Sequence, residues 1–270
     1  MTFKGKTVVI TGAGSGIGAA LARRAAALGA RVCVSDRDLH TAQAVASEFG
    51  GLAVACDVQH EEQIQTLIAE ATKALGDVDV YVSNAGFGAG DPSHAASQSN
   101  EMWMLNWHVH VMAHVYAARA LLPGMIERRS GYLVNVASAA GLLNQIGDSA
   151  YSATKHAAVS FAESLAISHG KHGIGVSVVC PQYVATPLIG LSDDDAAEQG
   201  SLLTADEVAL AITDAVEAKR FLVLPHPEVQ RYTLHRAKDH DRWIKNMQML
   251  RAKAEETFGG IEVSNFYKLM

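Results

Sequence analysis

Cysteine is scarce in this 270-residue chain, and what there is of it is scattered. Cys33, Cys56 and Cys180 each lie in or beside an apolar, strand-like run ("RVCVS", "LAVAC", "VSVVC"), and no two have CxxC spacing. An odd, dispersed set argues against a disulfide framework and a structural zinc, and predicts buried reduced thiols. Charge is modest too. Charged residues make up 19% and the net charge is −6, which gives no broad attraction to nucleic acid or anionic lipid. No uninterrupted apolar run is long enough to span a bilayer. The opening "MTFKGKTVVITG" goes straight into a strand-like segment, without the apolar region and cleavage site of a signal peptide, so a cytoplasmic protein is expected.

Also missing are a Pro/Ser-rich linker, an internal repeat and a low-complexity tract, so one domain is the economical reading of residues 1–270. Hydrophobic residues make up 49%, enough for a substantial core. Short apolar runs alternate with helical patterns: "KTVVIT", "RVCVS", "LAVAC", "VDVYVS", "GYLVNVAS", "GIGVSVVC" and "FLVLP" read as strands. They are nearly continuous in Val, Ile, Leu and Ala, as expected of parallel strands covered on both faces. Residues 17–28, 60–75, 101–128 and 151–170 carry apolar residues at helical spacing. The alternation predicts an α/β fold, a doubly wound parallel sheet of about seven strands with helices on both faces. Residues 1–150 would be mainly the cofactor half. Residues 187–203 read as an excursion after the sixth strand, and 225–270 as a long polar helix with a tail.

The first strand runs into "TGAGSGIG", where Gly12, Gly16 and Gly18 form GxxxGxG before a helix opens. Such a loop allows a tight turn, close backbone approach to a pyrophosphate and close helix–strand packing, and the helix N-terminus attracts phosphate. No GK[ST] follows, which excludes a nucleoside-triphosphate P-loop. Asp36 ends the second strand, where a carboxylate accepts hydrogen bonds from ribose hydroxyls and repels a 2′-phosphate. That favours NAD over NADP, although Arg37 next door could pair with a 2′-phosphate. Asp57 and Val58, at the end of the third strand, could meet an adenine ring. Asn84, Ala85 and Gly86 follow the fourth strand at the edge where ligands of open α/β sheets collect.

In "YSATK", Tyr151 and Lys155 are four apart and share a helix face. A neighbouring ammonium stabilises a phenolate and lowers its pKa from about 10. Ser138 closes the fifth strand, and its hydroxyl could hold a substrate oxygen as charge develops. Glycine loop, acidic strand end, "NAG", Ser, Tyr and Lys in this order resemble the short-chain dehydrogenase/reductase family over residues 5 to about 225. The resemblance implies a Rossmann-like fold, a nicotinamide cofactor and reversible hydride transfer between a secondary alcohol and a ketone. It implies Tyr151 as general acid/base, Lys155 as its pKa tuner and ribose anchor, and Ser138 as the carbonyl-binding donor. It also places Ser15 and Ile17 of the glycine loop, and Pro181, Val184 and Thr186 of "PQYVATP", around the cofactor.

Two positions depart from the family pattern. Counting from Trp103 and Pro123, the catalytic Asn of the family falls on His110. His110 could shuttle protons, in which case His110→Asn would keep activity and flatten the pH dependence, or it could simply fill the space; Asn106, one turn earlier, is a third candidate for the role. No acidic or cysteine partner completes a metal site with His108, His110 and His114, so no metal is expected. Gln182 stands where the family has glycine, and could narrow the pocket, touch substrate or point to solvent. Expected substrate-facing positions are Phe87, Ser138, Ala139, Leu142, Leu143, Ile146, Gln182, Tyr183, Leu188 and Ile189. No cation but Lys155 joins them, and Asp193, Asp194 and Asp195 disfavour anions, so an uncharged apolar or aromatic secondary alcohol or ketone is expected. The resemblance implies a homodimer or homotetramer. The C-terminal helix reads as a solvated face, with Phe266 and Tyr267 leaving open an interface or a cover over a neighbour's pocket. The rival functions are a reductase of carrier-bound or other oxoacyl groups using NADP(H), and a nicotinamide-binding sensor without catalysis.

Overall fold

Val8, Val9 and Ile10 in the middle of β1 (Thr7–Thr11) are wholly buried, because layers of helix cover the strand on both faces. In the computed structural model, which describes residues 2–192, 195–196 and 202–269, β1 is an interior strand of a seven-stranded sheet. The others are β2 (Arg31–Asp36), β3 (Leu52–Ala55), β4 (Val80–Ser83), β5 (Gly131–Val136), β6 (Ile174–Val179) and β7 (Leu222–Val223). All pair in parallel, in the order β3-β2-β1-β4-β5-β6-β7. The chain steps outward from β1 to β3, then crosses back to β4 on the other side of β1. This reversal opens a crevice at the carboxyl ends of β1 and β4.

One core lies between the sheet and helices α1 (Gly16–Ala27) and α2 (Leu39–Ser47), with α7 (Ala205–Ala218) beside them. The other face carries α3 (Glu61–Leu75), α5 (Ala113–Glu127) and α6 (Ser149–His169). The three cysteines are buried and free, and burial pushes each thiol up to about 12. The sheet and its doubly wound layers are as the sequence predicts.

Three readings change. The helix predicted over 101–128 is α4 (Asn100–Trp107), one π-helical stretch (His108–Met112) and then α5. "FLVLP" shortens to two paired residues at the sheet edge. The predicted C-terminal helix is two, α8 (Glu228–Lys238) and α9 (His240–Phe258), because the Asp239 side chain accepts the Arg242 N–H at 2.9 Å and starts a new helix. Nor is this end merely solvated. Phe266 and Tyr267 in the terminal 3₁₀ turn are only 2% and 4% exposed, and they pack with Tyr183 of the same chain. Asp193 and Asp194 lie outside the described residues.

Candidate active site

Gly12 and Gly16 take left-handed backbone conformations, φ +61° and +52°, that let the chain leave β1 and start α1 in four residues. A Cβ on Gly12 would sit 2.7 Å from Ala85 Cα. Ser15 caps α1 without a side-chain hydrogen bond, and no acidic residue occupies the first turn. The result is an uncrowded, positive helix end facing the crevice. Gly18 does something else. It does not line the crevice; a Cβ there would lie 2.6 Å from Asn84 Nδ2 and 2.8 Å from Ala13 Cα, so glycine lets helix and loop close up.

The Asn84 amide donates to the Thr11 and Gly12 carbonyls at 2.9 and 3.0 Å, tying the end of β4 to the glycine loop. Asp36 accepts from the Gly14 and Asp38 N–H groups at 3.0 and 3.2 Å, which fixes its carboxylate at the crevice wall beside Arg37. Asp57 is held by Gln59, whose Nε2 donates to both carboxylate oxygens. One cavity of about 600 Å³ joins all of these to Ser138, Tyr151 and Lys155. This size and depth suit a dinucleotide with a small substrate beside it.

Asp148 places the catalytic-candidate pair. Its carboxylate accepts the Tyr151 N–H at 3.2 Å and caps α6, which sets Tyr151 and Lys155 on the first two turns. Lys155 Nζ lies 5.4 Å from the Tyr151 ring centroid and donates to the Val136 carbonyl at 3.1 Å. Burial lowers the Lys155 ammonium to about 8 and raises the Tyr151 phenol to about 12, the latter opposed by the Ser138 hydroxyl. Ser138 Oγ accepts the Ala140 N–H at 3.1 Å, and its hydroxyl makes a long contact of 3.5 Å to the Pro181 carbonyl and faces the Tyr151 phenol. That hydroxyl can donate to an incoming oxygen.

His110 is wholly buried behind this wall and does not line the cavity. Its Nε2 accepts the Phe87 N–H at 3.3 Å, so the proton sits on Nδ1, facing Thr154 Oγ1 at 3.2 Å. The ring stacks on Phe87 at 5.0 Å and meets the edge of Tyr151 at 5.2 Å. Burial, with Lys155 nearby, holds it neutral well below 6.5. A group with both nitrogens engaged and no titration near neutrality does not shuttle protons by charging. His110→Asn is therefore expected to leave the pH–rate profile between about pH 6 and 9 unchanged, as the space-filling alternative requires; a new ionisation in that range would contradict it.

The predicted cofactor positions all line the large cavity except Gly18, and among the substrate positions Phe87, Gln182, Leu188 and Ile189 do too. Leu143, Ile146 and Tyr183 instead line a second cavity, which Gln182 also borders. Leu142 lines neither; it packs outward beside Val229 and Trp243. Sequence reasoning missed Leu105 and Val109, which read as plain core positions of a helix. It also missed His226, between β7 and α8. His226 Nδ1 accepts the Gln182 N–H at 3.1 Å and its Nε2 pairs with the Tyr183 carbonyl at 2.9 Å, pinning the segment after Pro181.

A family model described as short chain dehydrogenase matches residues 6–196. The chain belongs to that family. It is 34% identical over 239 residues to 1-deoxy-11-beta-hydroxypentalenate dehydrogenase of Streptomyces exfoliatus, covering 85% of this chain and 86% of the relative. It is 36% identical over 197 residues to 2,5-dichloro-2,5-cyclohexadiene-1,4-diol dehydrogenase of Sphingobium indicum, covering 72% and 78%. Among solved structures, a short-chain dehydrogenase/reductase of Burkholderia phymatum in complex with NAD superposes with TM-score 0.81 at 29% identity, covering 89% of this chain and 96% of that one. The dehydrogenase family binds nicotinamide cofactors, and the glycine turn, the open helix end and the fixed Asp36 carboxylate fit such a group. Among the described residues, no helix is long and apolar enough to cross a membrane, and no cluster suits a metal ion.

Burial also holds His114 down to about 3 and lowers His226. With His110, that makes three imidazoles whose folded pKa lies below the unfolded value of about 6.5. The unfolded chain binds more protons between the two values, so stability is complete above about pH 6.5 and falls as pH drops through it. The urea midpoint is expected to fall between about pH 7.5 and 5.5, and replacing His226 by Gln should shallow that fall; a flat midpoint would contradict the buried neutral imidazoles.

Proposed function

We propose that this dehydrogenase transfers a hydride reversibly between NAD(H) and an uncharged apolar, cyclic or aromatic secondary alcohol or ketone. The observation that carries it is the meeting of Ser138, Tyr151 and Lys155 with the glycine loop and Asp36 on one cavity wall. Bound nicotinamide supplies the hydride acceptor or donor. Tyr151 takes the hydroxyl proton of the alcohol, or returns it to the ketone oxygen, and Ser138 donates a hydrogen bond to that oxygen as its charge changes. Lys155 is a cation beside the Tyr151 ring and favours the phenolate. Asp36 favours NAD, since a 2′-phosphate would meet its carboxylate.

The substrate end is bordered by Phe87, Leu188 and Ile189, and among the described residues the only cations on the wall are Lys155 and Arg37, the latter at the Asp36 end. An anionic substrate has no clamp there. By their names, one relative acts on an uncharged cyclohexadiene diol, which supports a cyclic alcohol, and the other on a hydroxylated carboxylate, which shares only the hydroxyl. Met104 and Trp107 on α4 and Ile167 on α6 are exposed apolar side chains, which supports a homodimer or homotetramer. NAD reduction over a panel of cyclic and aryl secondary alcohols tests the proposal. Turnover of any supports it; tight NAD binding with no turnover across the panel overturns it in favour of a sensor.

A further inference from the structure

The second cavity is about 300 Å³ and sits on the far side of Gln182 from the large one. Its floor is the segment after Ser138 together with Tyr183; its roof is the C-terminal region. Every roof residue, from Tyr232 on α8 through Trp243 and Leu250 on α9 to Phe266, lies beyond the 6–196 stretch that the family model matches.

The roof is latched rather than loosely draped. His226 holds the backbone of Gln182 and Tyr183, and Arg236 of α8 donates to the Leu142 carbonyl and approaches His156 Nε2 at 3.3 Å. Phe266 and Ala254 within it are buried. Among the described residues, no acidic or basic side chain lines the chamber. Four aromatic rings, Tyr183, Tyr232, Trp243 and Phe266, form much of its wall, and the polar lining side chains are otherwise the amides of Asn144, Gln145, Gln182 and Asn246. A volume at the small end of ligand sites, with apolar walls and a few neutral polar groups, suits an uncharged hydrocarbon ring and rejects ions.

We infer that this chamber is a binding pocket for the remote, non-reacting hydrocarbon ring of the substrate, with Gln182 as the partition between it and the reacting end. The partition follows from position. Ser138 and Ala139 both approach the Pro181 carbonyl, Ala139 N–H at 2.7 Å, so the two segments form one wall, and Gln182 is the residue of that wall lining both cavities. A substrate with a single ring uses the first cavity alone; one with a second ring gains the chamber. As to the chemistry, the inference rests on the dehydrogenase reading.

The test has two arms. In the first, unreactive bicyclohexyl is titrated into the protein while emission is followed. Trp243 is one of three tryptophans and the one lining the chamber, so a saturable change is expected that disappears in Trp243→Phe. No saturable change, or one that persists in Trp243→Phe, overturns the chamber as a site. This arm needs no turnover, so it separates failure of the inference from failure of the dehydrogenase reading. In the second arm, Leu250→Trp fills the chamber. The ratio of kcat/KM for cyclohexyl-substituted cyclohexanol to that for cyclohexanol is expected to fall about tenfold or more, with Gln182→Gly moving it upward. An unchanged ratio in both variants overturns the assignment of the remote ring to the chamber. Should Leu250→Trp fail to fold, Met247→Phe carries the same expectation.

Discussion

Tyr151→Phe is expected to lower kcat by about a thousandfold while leaving the NAD dissociation constant within about twofold of wild type. The substitution removes one oxygen and little else. The ring stays in its slot, edge-on to His110 and facing the Lys155 ammonium, so α6 and the cavity wall keep their packing. What disappears is the group able to take a proton within reach of the Ser138 hydroxyl. Ser138 cannot replace it, because an aliphatic hydroxyl held by the Ala140 N–H remains a donor to the substrate oxygen. Steady-state rates and a fluorescence titration of cofactor check both halves. A loss below about tenfold would take the phenol out of the proton path.

Gly18→Ala is the second substitution with a large expected effect, and it acts without touching the cavity. The added methyl would press on the Gly12 carbonyl, Ala13 Cα and Asn84 Nδ2 together. Two of these are backbone, and the third is the amide that ties β4 to the loop. Relief requires α1 to move off the loop, which withdraws its N-terminal N–H groups from the phosphate position. NAD affinity is expected to fall by about a hundredfold, with a lower melting temperature, since displaced backbone in a packed core costs about 1–3 kcal/mol. Calorimetric titration with NAD measures the first and a thermal scan the second. Unchanged affinity would mean that the loop, and not its packing against α1, sets the phosphate site.

Much of this was legible because the relevant physics is local. A strand covered on both faces must be apolar at nearly every position, and "KTVVIT" and "GIGVSVVC" announce β1 and β6 for that reason. The glycine loop and the Tyr151–Lys155 pair are short patterns whose spacing fixes their geometry. What was hidden depends on partners distant in sequence. Spacing alone leaves His110 open between a relay and a space-filling ring; its partners, the Phe87 N–H and Thr154 hydroxyl, come from other elements. Gly18 belongs to the loop motif yet serves packing. His226 lies 44 residues from Gln182, and no periodicity links them. The polar C-terminal stretch concealed its apolar side because Trp243, Leu250 and Phe266 are spread over two helices and a turn. The start of the second helix is set by one capping carboxylate, Asp239.

Hydride transfer itself is tested most directly by following the hydrogen. Wild-type protein is incubated with NAD and cyclohexanol deuterated at the carbinol carbon, and the reduced nicotinamide is analysed by mass spectrometry. One deuterium per reduced cofactor, with slower turnover than for the unlabelled alcohol, is the predicted result. No reduced cofactor, or reduced cofactor without deuterium, would contradict it.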